Sequence, residues 1–461
     1  MKKVFKEVGS LDKKCYEEFG LTEDILMEHA SLGLYRAVSK KVDSVMIVAG
    51  LGNNGGDGIA LARLLHREKN VYLYLPMGAK SPMAKLQLER AKKVGVKIVD
   101  KIKRADVIVD AVFGSGLKRD LSDDIKDLLE KLNRQKAYKI ACDIPTGIDE
   151  NGCVRDVAFK ADVTVTMGAL KESLFLDEAK DYIGKIKVVD LGVSRKLYED
   201  DSDTAVLQKK DLKLPLRDRQ NSNKGTFGHL GVVAGRKVGA AILSAEAGFA
   251  FGSGLVSIIE NENYEIPPHI MSSCQIPQKS TAICVGMGLG NIYDDEYIQK
   301  FLFHDLPLLI DADLFYNPVI KKVLDSKENL VLTPHPKEFS SLLKLCDIAD
   351  VSVEEIQKKR FFYAREFSKK YPKAVLVLKG ANVIICQNQK LFINPFGSNV
   401  LSKGGSGDVL AGLISSLLAQ GYTTLEASVN GSLAHTFASQ SFTKNNYAMT
   451  PEDLIEGIKC L

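Results

Sequence analysis

The stretch SVMIVAGLGNNGGDGIALARLLHRE, residues 44–68, decides the fold. Its first seven residues are a continuous apolar run, which is typical of a strand buried on both faces of a parallel sheet. Residues 55–68 have apolar side chains at helical spacing. The glycine-rich loop 50–58 joins the two segments. The stretch therefore predicts a strand, a tight loop and a helix, the repeating unit of an α/β sheet.

The rest of the first half continues this alternation of strands and helices. Strands are predicted at 71–76, 106–116, 139–147, 161–168 and 186–193, and helices at 84–95 and 125–135. The pattern predicts a Rossmann-like three-layer αβα sandwich with helices on both faces of an open, mostly parallel sheet. Ligands bind such sheets at the carboxyl ends of the strands, where residues 50–58, 110–116 and 143–147 would cluster.

A polar segment at residues 198–225 breaks the alternation, and we expect a domain boundary there, with domains 1–203 and 204–461. A second series follows, which predicts a second αβα sandwich. Its predicted strands are 228–235, 255–260, 282–288, 307–313, 329–335 and 374–386, with a hairpin through 390–395, and its predicted helices are 240–254, 408–420 and 425–440.

Composition excludes several classes of protein. With 62 basic and 58 acidic residues, the net charge of +4 gives no reason to expect nucleic acid or an anionic membrane as partner. The eight cysteines form no CxxC pair, so a zinc ribbon is not indicated. The first residues lack the apolar core of a signal peptide, and no apolar run could span a membrane. We expect a cytoplasmic, homo-oligomeric protein that acts on small molecules.

The loop at 50–58 contains a literal GxGxxG, spelled by Gly50, Gly52 and Gly55, which alone is a weak indication of a dinucleotide site. Asp57 would repel a pyrophosphate, and strand 71–76 is followed by Met77 and lacks the ribose-binding acid of NAD sites. These features argue against an ordinary NAD site. The alternative is a tight turn, with an asparagine of the loop, Asn53 or Asn54, capping the helix.

A second glycine-rich loop, GGSGD, occupies residues 404–408 before a long apolar helix. Its amides would point at an anion, assisted by the helix N-terminus. No GK[ST] follows, so it is not a Walker loop. Asp408 could stand beside a hydroxyl that is to be phosphorylated. The alternative is a glycine turn in which Ser406 caps the helix and Asp408 interacts with the helix dipole.

Four segments in the first half resemble, in this order, the NAD(P)H-hydrate epimerase family. They are LMEHA (26–30), AGLGNNGGDG (49–58), VDAVFGSGLKRD (109–120) and DIPTGID (143–149). The resemblance implies that hydrated NAD(P)H contacts Asn53, Asn54, Gly55, Gly56 and Asp57. It also implies that the substrate phosphates lie against Gly114, Ser115, Gly116, Leu117, Lys118, Arg119 and Asp120. Potassium would be ligated by Asn54, Asp110 and Thr146.

Asp143 would contact the nicotinamide ring, and we expect it to be the base that moves the proton during epimerisation. Oxygen ligands such as those of Asp110 and Thr146 suit a hard cation. Two interpretations without a catalytic or binding role stay open at this point. Asp143 could cap its own turn before Ile-Pro, and Lys118 could be a solvated surface lysine.

Six segments in the second half resemble the ADP/ATP-dependent NAD(P)H-hydrate dehydratases of the ribokinase-like superfamily. They are KGTFGHLGVVAG (224–235), VGMGLG (285–290), IDAD (310–313), TPHPKEF (333–339), VLKGAN (377–382) and GGSGD (404–408). The resemblance implies nucleotide contacts from Lys379, Gly380, Ala381, Asn382, Val383, Ser398, Asn399, Gly404, Gly405, Ser406 and Gly407. It implies hydrate contacts from Ala240, Gly288, His335 and Asp408, with Asp408 as the base and Mg²⁺ beside the phosphate.

The second half departs from the family pattern at three places, which are Arg236–Lys237, His269 and Leu314–Tyr316. The expected activity is that of a bifunctional repair enzyme, in which one half interconverts the R and S hydrates and the other dehydrates the S form with ADP or ATP. Two alternatives remain. The chain could be a small-molecule kinase fused to a nucleotide-binding domain, or its first half could be a binding module without catalysis.

Overall fold

The structure is a computed structural model that describes residues 1–260, 264–290 and 293–461. It contains two compact units. The N-terminal unit is formed by residues 3–202, and the C-terminal unit by residues 203–461 with the first two residues of the chain. That residues 1–203 and 204–461 are domains that fold independently stays a prediction.

The N-terminal unit begins with a short strand and two helices and then alternates strands with helices. Its strands are β1 (Lys2–Phe5), β2 (Ser44–Ala49), β3 (Asn70–Tyr74), β4 (Ile98–Val99), β5 (Val107–Ala111), β6 (Tyr138–Cys142), β7 (Val163–Met167), β8 (Leu170–Lys171) and β9 (Lys185–Val189). Its helices are α1 (Gly9–Glu18), α2 (Glu23–Ala37), α3 (Asn53–Leu65), α4 (Pro82–Lys93), α5 (Asp123–Arg134), α6 (Lys180–Ile183) and α7 (Arg195–Tyr198).

The central sheet of this unit has the order β4-β3-β2-β5-β6-β7-β9, and every neighbouring pair is parallel. β1 and β8 are not part of this seven-stranded sheet, and they pair with each other in parallel. From β2 the chain proceeds to β3 and β4 on one side and then to β5 and β6 on the other. The order therefore reverses between β2 and β5, and the loops after these two strands border the crevice in which open α/β sheets bind ligands.

The C-terminal unit repeats this design at larger size. Its strands are β10 (Thr204–Val206), β11 (His229–Val233), β12 (Leu255–Ile259), β13 (Met271–Ser273), β14 (Ala282–Val285), β15 (Leu308–Ile310), β16 (Leu330–Leu332), β17 (Val375–Leu378), β18 (Val383–Gln387) and β19 (Lys390–Asn394). Its helices are α8 (Val238–Ala250), α9 (Asp295–Leu302), α10 (Val319–Ser326), α11 (Pro336–Leu345), α12 (Val353–Lys358), α13 (Arg360–Lys370), α14 (Ser406–Ala419), α15 (Thr424–Gln440) and α16 (Pro451–Ile458).

The strands of this unit follow the order β13-β12-β11-β14-β15-β16-β17-β18-β19-β10. They pair in parallel except at β17–β18 and β18–β19, which are antiparallel. The order reverses between β11 and β14, so this unit has a switch-point crevice of its own. The two-domain α/β class that the sequence predicts is confirmed.

Two segments differ from the sequence prediction. The apolar run 374–386, expected as a strand, is two antiparallel strands, because the chain reverses direction at residues 379–382. The polar segment 198–225, expected only as a boundary, contains β10, which pairs in parallel with β19. A strand of three residues carries too little apolar pattern to be recognised inside such a segment. No helix in the described part of the chain is long and apolar enough to cross a membrane.

Candidate active sites

The loop after β2 owes its shape to glycines that allow backbone to touch backbone. A Cβ atom on Gly50 would lie 1.9 Å from the carbonyl oxygen of Val112, and one on Gly55 would lie 1.9 Å from the carbonyl oxygen of Gly50. Any side chain at these positions would push the loop away from the end of β5. Gly52 is the N-cap of α3 and no side chain caps the helix, so the alternative of an asparagine cap is wrong.

Three groups that the sequence assigns to the epimerase site converge at the end of the sheet. A Cβ atom placed on Gly114 would lie 3.1 Å from Asn54 Oδ1 and 3.3 Å from Asp143 Oδ2. Both polar atoms of the Asn54 side chain are buried, and neither has a hydrogen-bond partner among the residues that the structure describes. An unpaired buried amide is costly to maintain. Asn54 is therefore poised to bind a ligand in the space that it shares with Asp143.

Asp143 follows β6 and has a left-handed backbone, with φ of 66°. Its Oδ1 accepts hydrogen bonds from Lys171 Nζ at 2.6 Å, the Met167 amide at 3.1 Å and Thr166 Oγ1 at 3.2 Å. The carboxylate thus bonds to β7 and β8 and does not cap its own turn. Burial raises the pKa of Asp143, but the Lys171 charge and the three donors outweigh burial and hold the pKa below its usual value.

Asp57, in the first turns of α3, has the opposite electrostatic environment. Burial and the negative charge of Asp143 raise its pKa well above the usual value. The Cys142 thiol lies 4.0 Å from Asp57 Oδ2, and burial with the nearby charge of Asp57 raises the pKa of that thiol as well. The site therefore contains one carboxylate that is readily ionised and one that readily holds a proton, which is the arrangement that acid–base chemistry needs.

Asp110 and Thr146, two of the predicted potassium ligands, are in direct contact. Thr146 donates to the buried Asp110 carboxylate from Oγ1 at 2.7 Å and from its amide at 2.8 Å. Burial raises the pKa of Asp110 to about 6 despite these bonds. Thr146 Oγ1 also accepts from the Phe113 amide at 2.9 Å. Phe113 is followed by Gly114, whose Cβ position lies beside Asn54. The Asp110–Thr146 pair is therefore linked to the residue that precedes Gly114.

The predicted phosphate loop, residues 114–120, is mostly exposed, and only Leu117 in it is buried. Lys118 forms an exposed ion pair with Glu150 at 3.5 Å, and Asp120 pairs with Arg155 at 3.4 Å. Exposed pairs of this kind are weak, so Lys118 remains available to a phosphate. The assignment of residues 114–120 to substrate phosphates stays a prediction.

The C-terminal unit places the GGSGD loop at the start of α14. Gly405 has a left-handed backbone, with φ of 90°, and is the N-cap, so Ser406 is the first residue of the helix and not its cap. The Ser406 hydroxyl lies 3.2 Å from Nε2 of the buried His435. Asp408 stands in the first turn of α14. No described side chain caps this helix start, so its amides can face an anion, although the Ser406 amide donates to the Lys403 carbonyl at 3.3 Å.

Asp408 shares its surroundings with other charged side chains. Lys379 Nζ bonds to Asp311 Oδ1 at 2.8 Å and lies 3.7 Å from Glu338 Oε2. It also lies 3.6 Å from the position of a Cβ atom on Gly407, the residue before Asp408. Burial and the negative charge of Asp311 raise the pKa of Asp408 to about 7, although Lys379 opposes this effect. A carboxyl group with this pKa exchanges protons at neutral pH.

His335 is the N-cap of α11. Its Nδ1 accepts from the amides of Lys337 at 3.1 Å and Glu338 at 3.3 Å, and its Nε2 lies 3.1 Å from Glu338 Oε1. The His335 side chain is 45% exposed, which leaves its ring face open to a ligand. The histidine therefore has a helix-capping role in addition to the predicted contact with the hydrate.

The predicted hydrate-binding residues Ala240 and Gly288 lie together at the switch point of this sheet. A Cβ atom on Gly288 would be 3.2 Å from Ala240 Cβ and 2.8 Å from Lys237 Cβ. The Lys237 amide donates to the Gly288 carbonyl at 2.9 Å. The departure at Arg236–Lys237 therefore borders this crevice directly. Of the predicted nucleotide-binding residues, Asn382 is buried and Ser398 caps a 3-10 turn at residues 399–401.

The sequence alone did not identify four residues that bond to Asp143 or form ion pairs with Lys379. In the N-terminal unit they are Lys171 and Thr166, and in the C-terminal unit they are Asp311 and Glu338. Asp311 and Glu338 stand in the motifs IDAD and TPHPKEF, which offered a signal. Lys171 offered none, because a single lysine beside a glutamate is typical of a solvated surface.

Two family models match the chain, one in each half. A family model described as NAD(P)H-hydrate dehydratase matches residues 230–459, and one described as YjeF-related protein N-terminus matches residues 23–173. Among solved structures, an ADP/ATP-dependent NAD(P)H-hydrate dehydratase from Bacillus subtilis, co-crystallised with ATP and Mg²⁺, is 27% identical. It covers 53% of this chain and 92% of its own, with a TM-score of 0.45.

Two curated relatives match essentially the whole chain. The bifunctional NAD(P)H-hydrate repair enzyme Nnr of Helicobacter pylori is 47% identical over 100% of both chains. The enzyme of the same name from Dictyoglomus turgidum is 31% identical over 98% of this chain and 96% of its own. With this similarity along its full length, the chain belongs to the family of bifunctional NAD(P)H-hydrate repair enzymes.

Proposed function

We propose that the chain repairs hydrated NADH and NADPH in two steps. The N-terminal unit interconverts the R and S hydrates, and the C-terminal unit dehydrates the S form to NAD(P)H while ADP or ATP is converted to AMP or ADP and phosphate. The observation that carries this proposal is that each unit of one chain has its own switch-point crevice and its own carboxylate with a shifted pKa, Asp143 in the first unit and Asp408 in the second.

In the epimerase step, the hydroxyl of the hydrate loses its proton and the ring nitrogen gains one as the bond between that nitrogen and the hydroxyl-bearing carbon breaks. Both proton transfers reverse when the same bond re-forms on the other face of the carbon. Asp143 Oδ2 faces the space next to Asn54 and Gly114, and Asp143 is the carboxylate that ionises readily. We assign to it the role of base. Asp57, whose pKa is raised, is suited to return the proton.

In the dehydratase step, Asp408 removes the proton of the hydrate hydroxyl as that oxygen attacks the terminal phosphate of the nucleotide. The amides of the GGSG loop and the Lys379 ammonium carry positive charge to the transferring phosphoryl group. The phosphorylated hydrate then expels phosphate and loses a proton from the neighbouring ring carbon, which restores the ring double bond of the reduced nicotinamide. His335, Ala240 and Gly288 line the hydrate side of the crevice in this proposal.

The chain's residues fit the proposed potassium ion, whereas the magnesium ion would be held mainly by the nucleotide. The unpartnered Asn54 oxygen and the Asp110–Thr146 pair offer oxygen ligands suited to K⁺, which would fix the substrate loop. In the part of the chain that the structure describes, no cluster of three His, Cys, Asp or Glu side chains could hold a metal. Mg²⁺ commonly binds through substrate phosphates, so we propose that it enters with the nucleotide and neutralises phosphate charge.

The nearly balanced charge of the chain supports small molecules, and neither nucleic acid nor a membrane, as its partners. A cytoplasmic location and a homo-oligomeric state are parts of the proposal that fractionation and sizing of the native protein would test.

The decisive assay supplies hydrated NADH with ADP or ATP and follows the absorbance band of the reduced nicotinamide. Recovery of that band, with one phosphate released per NADH formed, supports repair. Hydrolysis of nucleotide only in the presence of a vitamin-like alcohol would instead favour the small-molecule kinase. Lack of epimerase activity in an otherwise active dehydratase would favour a binding module in the first half.

A further inference from the structure

Lys171 is one of the most completely buried charged side chains in the N-terminal unit, with 2% of its surface exposed. It follows β7 through a tight turn and returns its side chain to the end of that strand. Its Nζ donates to Asp143 Oδ1 at 2.6 Å, to Thr166 Oγ1 at 2.9 Å and to the Met167 carbonyl at 3.1 Å. All three hydrogens of the ammonium are thereby used within the protein.

We propose that Lys171 is the positioning residue of the epimerase site, which fixes Asp143 in its ionised form with Oδ1 anchored and Oδ2 turned toward the substrate. This inference rests on the proposed function of the N-terminal unit and adds a role for a residue outside the predicted site.

The two oxygens of Asp143 support this assignment. Oδ1 accepts three hydrogen bonds from β7 and β8, whereas Oδ2 accepts none within the described part of the chain and lies 3.3 Å from the Cβ position of Gly114. One oxygen is therefore saturated and the other is available for a proton. Because Lys171 reaches only the saturated oxygen, it acts on the substrate through Asp143.

Charge makes Lys171 more than a hydrogen-bond donor. Asp143 and Lys171 also interact electrostatically with Asp12 of α1, Asp57 of α3, Cys142 of β6 and Tyr198 of α7, and Asp57 in turn interacts with Glu23 of α2. Each of these side chains is neutral or negative, so Lys171 supplies the positive charge of the group. A buried carboxyl that loses such a partner tends to remain protonated at neutral pH.

The test removes the charge of Lys171 and measures how epimerisation depends on pH. We would use the full chain without ADP or ATP, so that dehydration is idle, and follow exchange between separated R and S hydrates of NADH. For the wild type, kcat/KM should be flat from about pH 6 to about pH 8, because Asp143 is ionised throughout that range. In Lys171→Met, kcat/KM should fall about 10- to 100-fold at the lower pH and recover as pH rises.

Two further variants make the result unambiguous. Lys171→Gln can still donate a hydrogen bond to Asp143 but lacks the charge, so it should fold and show the same recovery with pH. Lys126→Met removes a half-buried lysine that pairs with Asp156 at 2.8 Å, and it should keep the flat profile.

A flat profile in either Lys171 variant, or a loss that is equal at every pH, would overturn the proposal, since a merely structural lysine would lower the amount of active protein without changing its titration. If the wild-type chain itself failed to exchange the epimers, the proposed function would fail instead.

Discussion

Replacing Asp408 with asparagine is the most informative single perturbation of the dehydratase site. Asparagine keeps the shape of the side chain but cannot accept a proton. If Asp408 is the base, dehydration of the pure S hydrate should fall ~10²–10⁴-fold in kcat, the usual effect of losing a general base. The epimerase activity of the same protein should be unchanged and serves as an internal measure of active protein.

The pKa of Asp408 gives this prediction a second signature. With a pKa raised to about 7 by burial and by Asp311, the carboxyl is about 10% ionised at pH 6 and about 90% ionised at pH 8. Wild-type kcat/KM should therefore rise with pH through about 7 and level off above it. In Asp408→Asn this dependence should disappear, because the titrating group has been removed.

Stability should change in the opposite direction. When the pKa of a carboxyl group is higher in the folded state than in the unfolded state, the folded state binds the proton more tightly. The free energy of unfolding then falls as pH rises from the unfolded pKa to the folded pKa. The wild type should thus lose stability as pH rises toward and through about 7, and Asp408→Asn should not share this loss. At about pH 8 the variant should melt at a higher temperature than the wild type.

A matched control is Asp313→Asn, which changes an exposed carboxylate that accepts a hydrogen bond from the Gly290 amide at 2.8 Å. It should retain the wild-type pH profile. The reasoning is refuted if folded Asp408→Asn dehydrates the S hydrate at the wild-type rate, or if its residual activity still titrates near pH 7.

Three other predictions concern the division of labour between the units. Asp143→Ala should block epimerisation and leave dehydration of the S hydrate intact, so equal loss of both activities by a folded protein would contradict separate sites. Gly114→Ala should lower epimerisation about 100-fold, because its methyl group enters the substrate space. The control Gly52→Ala, whose methyl group meets nothing within 4 Å, should not, and similar rates for both would argue against the assigned space. A 205–461 fragment should dehydrate only the S hydrate, and added 1–200 fragment should restore conversion of the mixture. Rapid consumption of both epimers by the 205–461 fragment alone would refute the division.

Much of the fold follows from the sequence because buried parallel strands are continuous apolar runs. β2, β14 and β15 are almost entirely buried and apolar, so their composition alone distinguishes them. The turn at residues 379–382 was not evident, since the apolar runs on both sides of it have the same composition. Its direction is set by pairing between β17 and β18, which is a tertiary interaction.

The sequence predicts site residues that belong to a local motif. It does not predict site residues that only the order of the strands brings together. The loops 50–58 and 404–408 are recognisable from the sequence, because their glycines and carboxylates occur at typical spacings. Lys171 reaches Asp143, 28 residues earlier in the chain, only because β6 and β7 are neighbours in the sheet. The same holds for Lys379 and Asp311, which are 68 residues apart. Sequence spacing contains no information about such pairs.

The central claim is that one chain performs both steps, and the yield from a mixture of epimers tests it most directly. The full chain, given a mixture of R and S hydrates of NADH with excess ADP or ATP, should convert the whole mixture to NADH. Asp143→Ala should stop when the S form is exhausted, apart from slow spontaneous exchange. Complete and rapid conversion by Asp143→Ala, or failure of the wild type to consume the R form, would contradict the account.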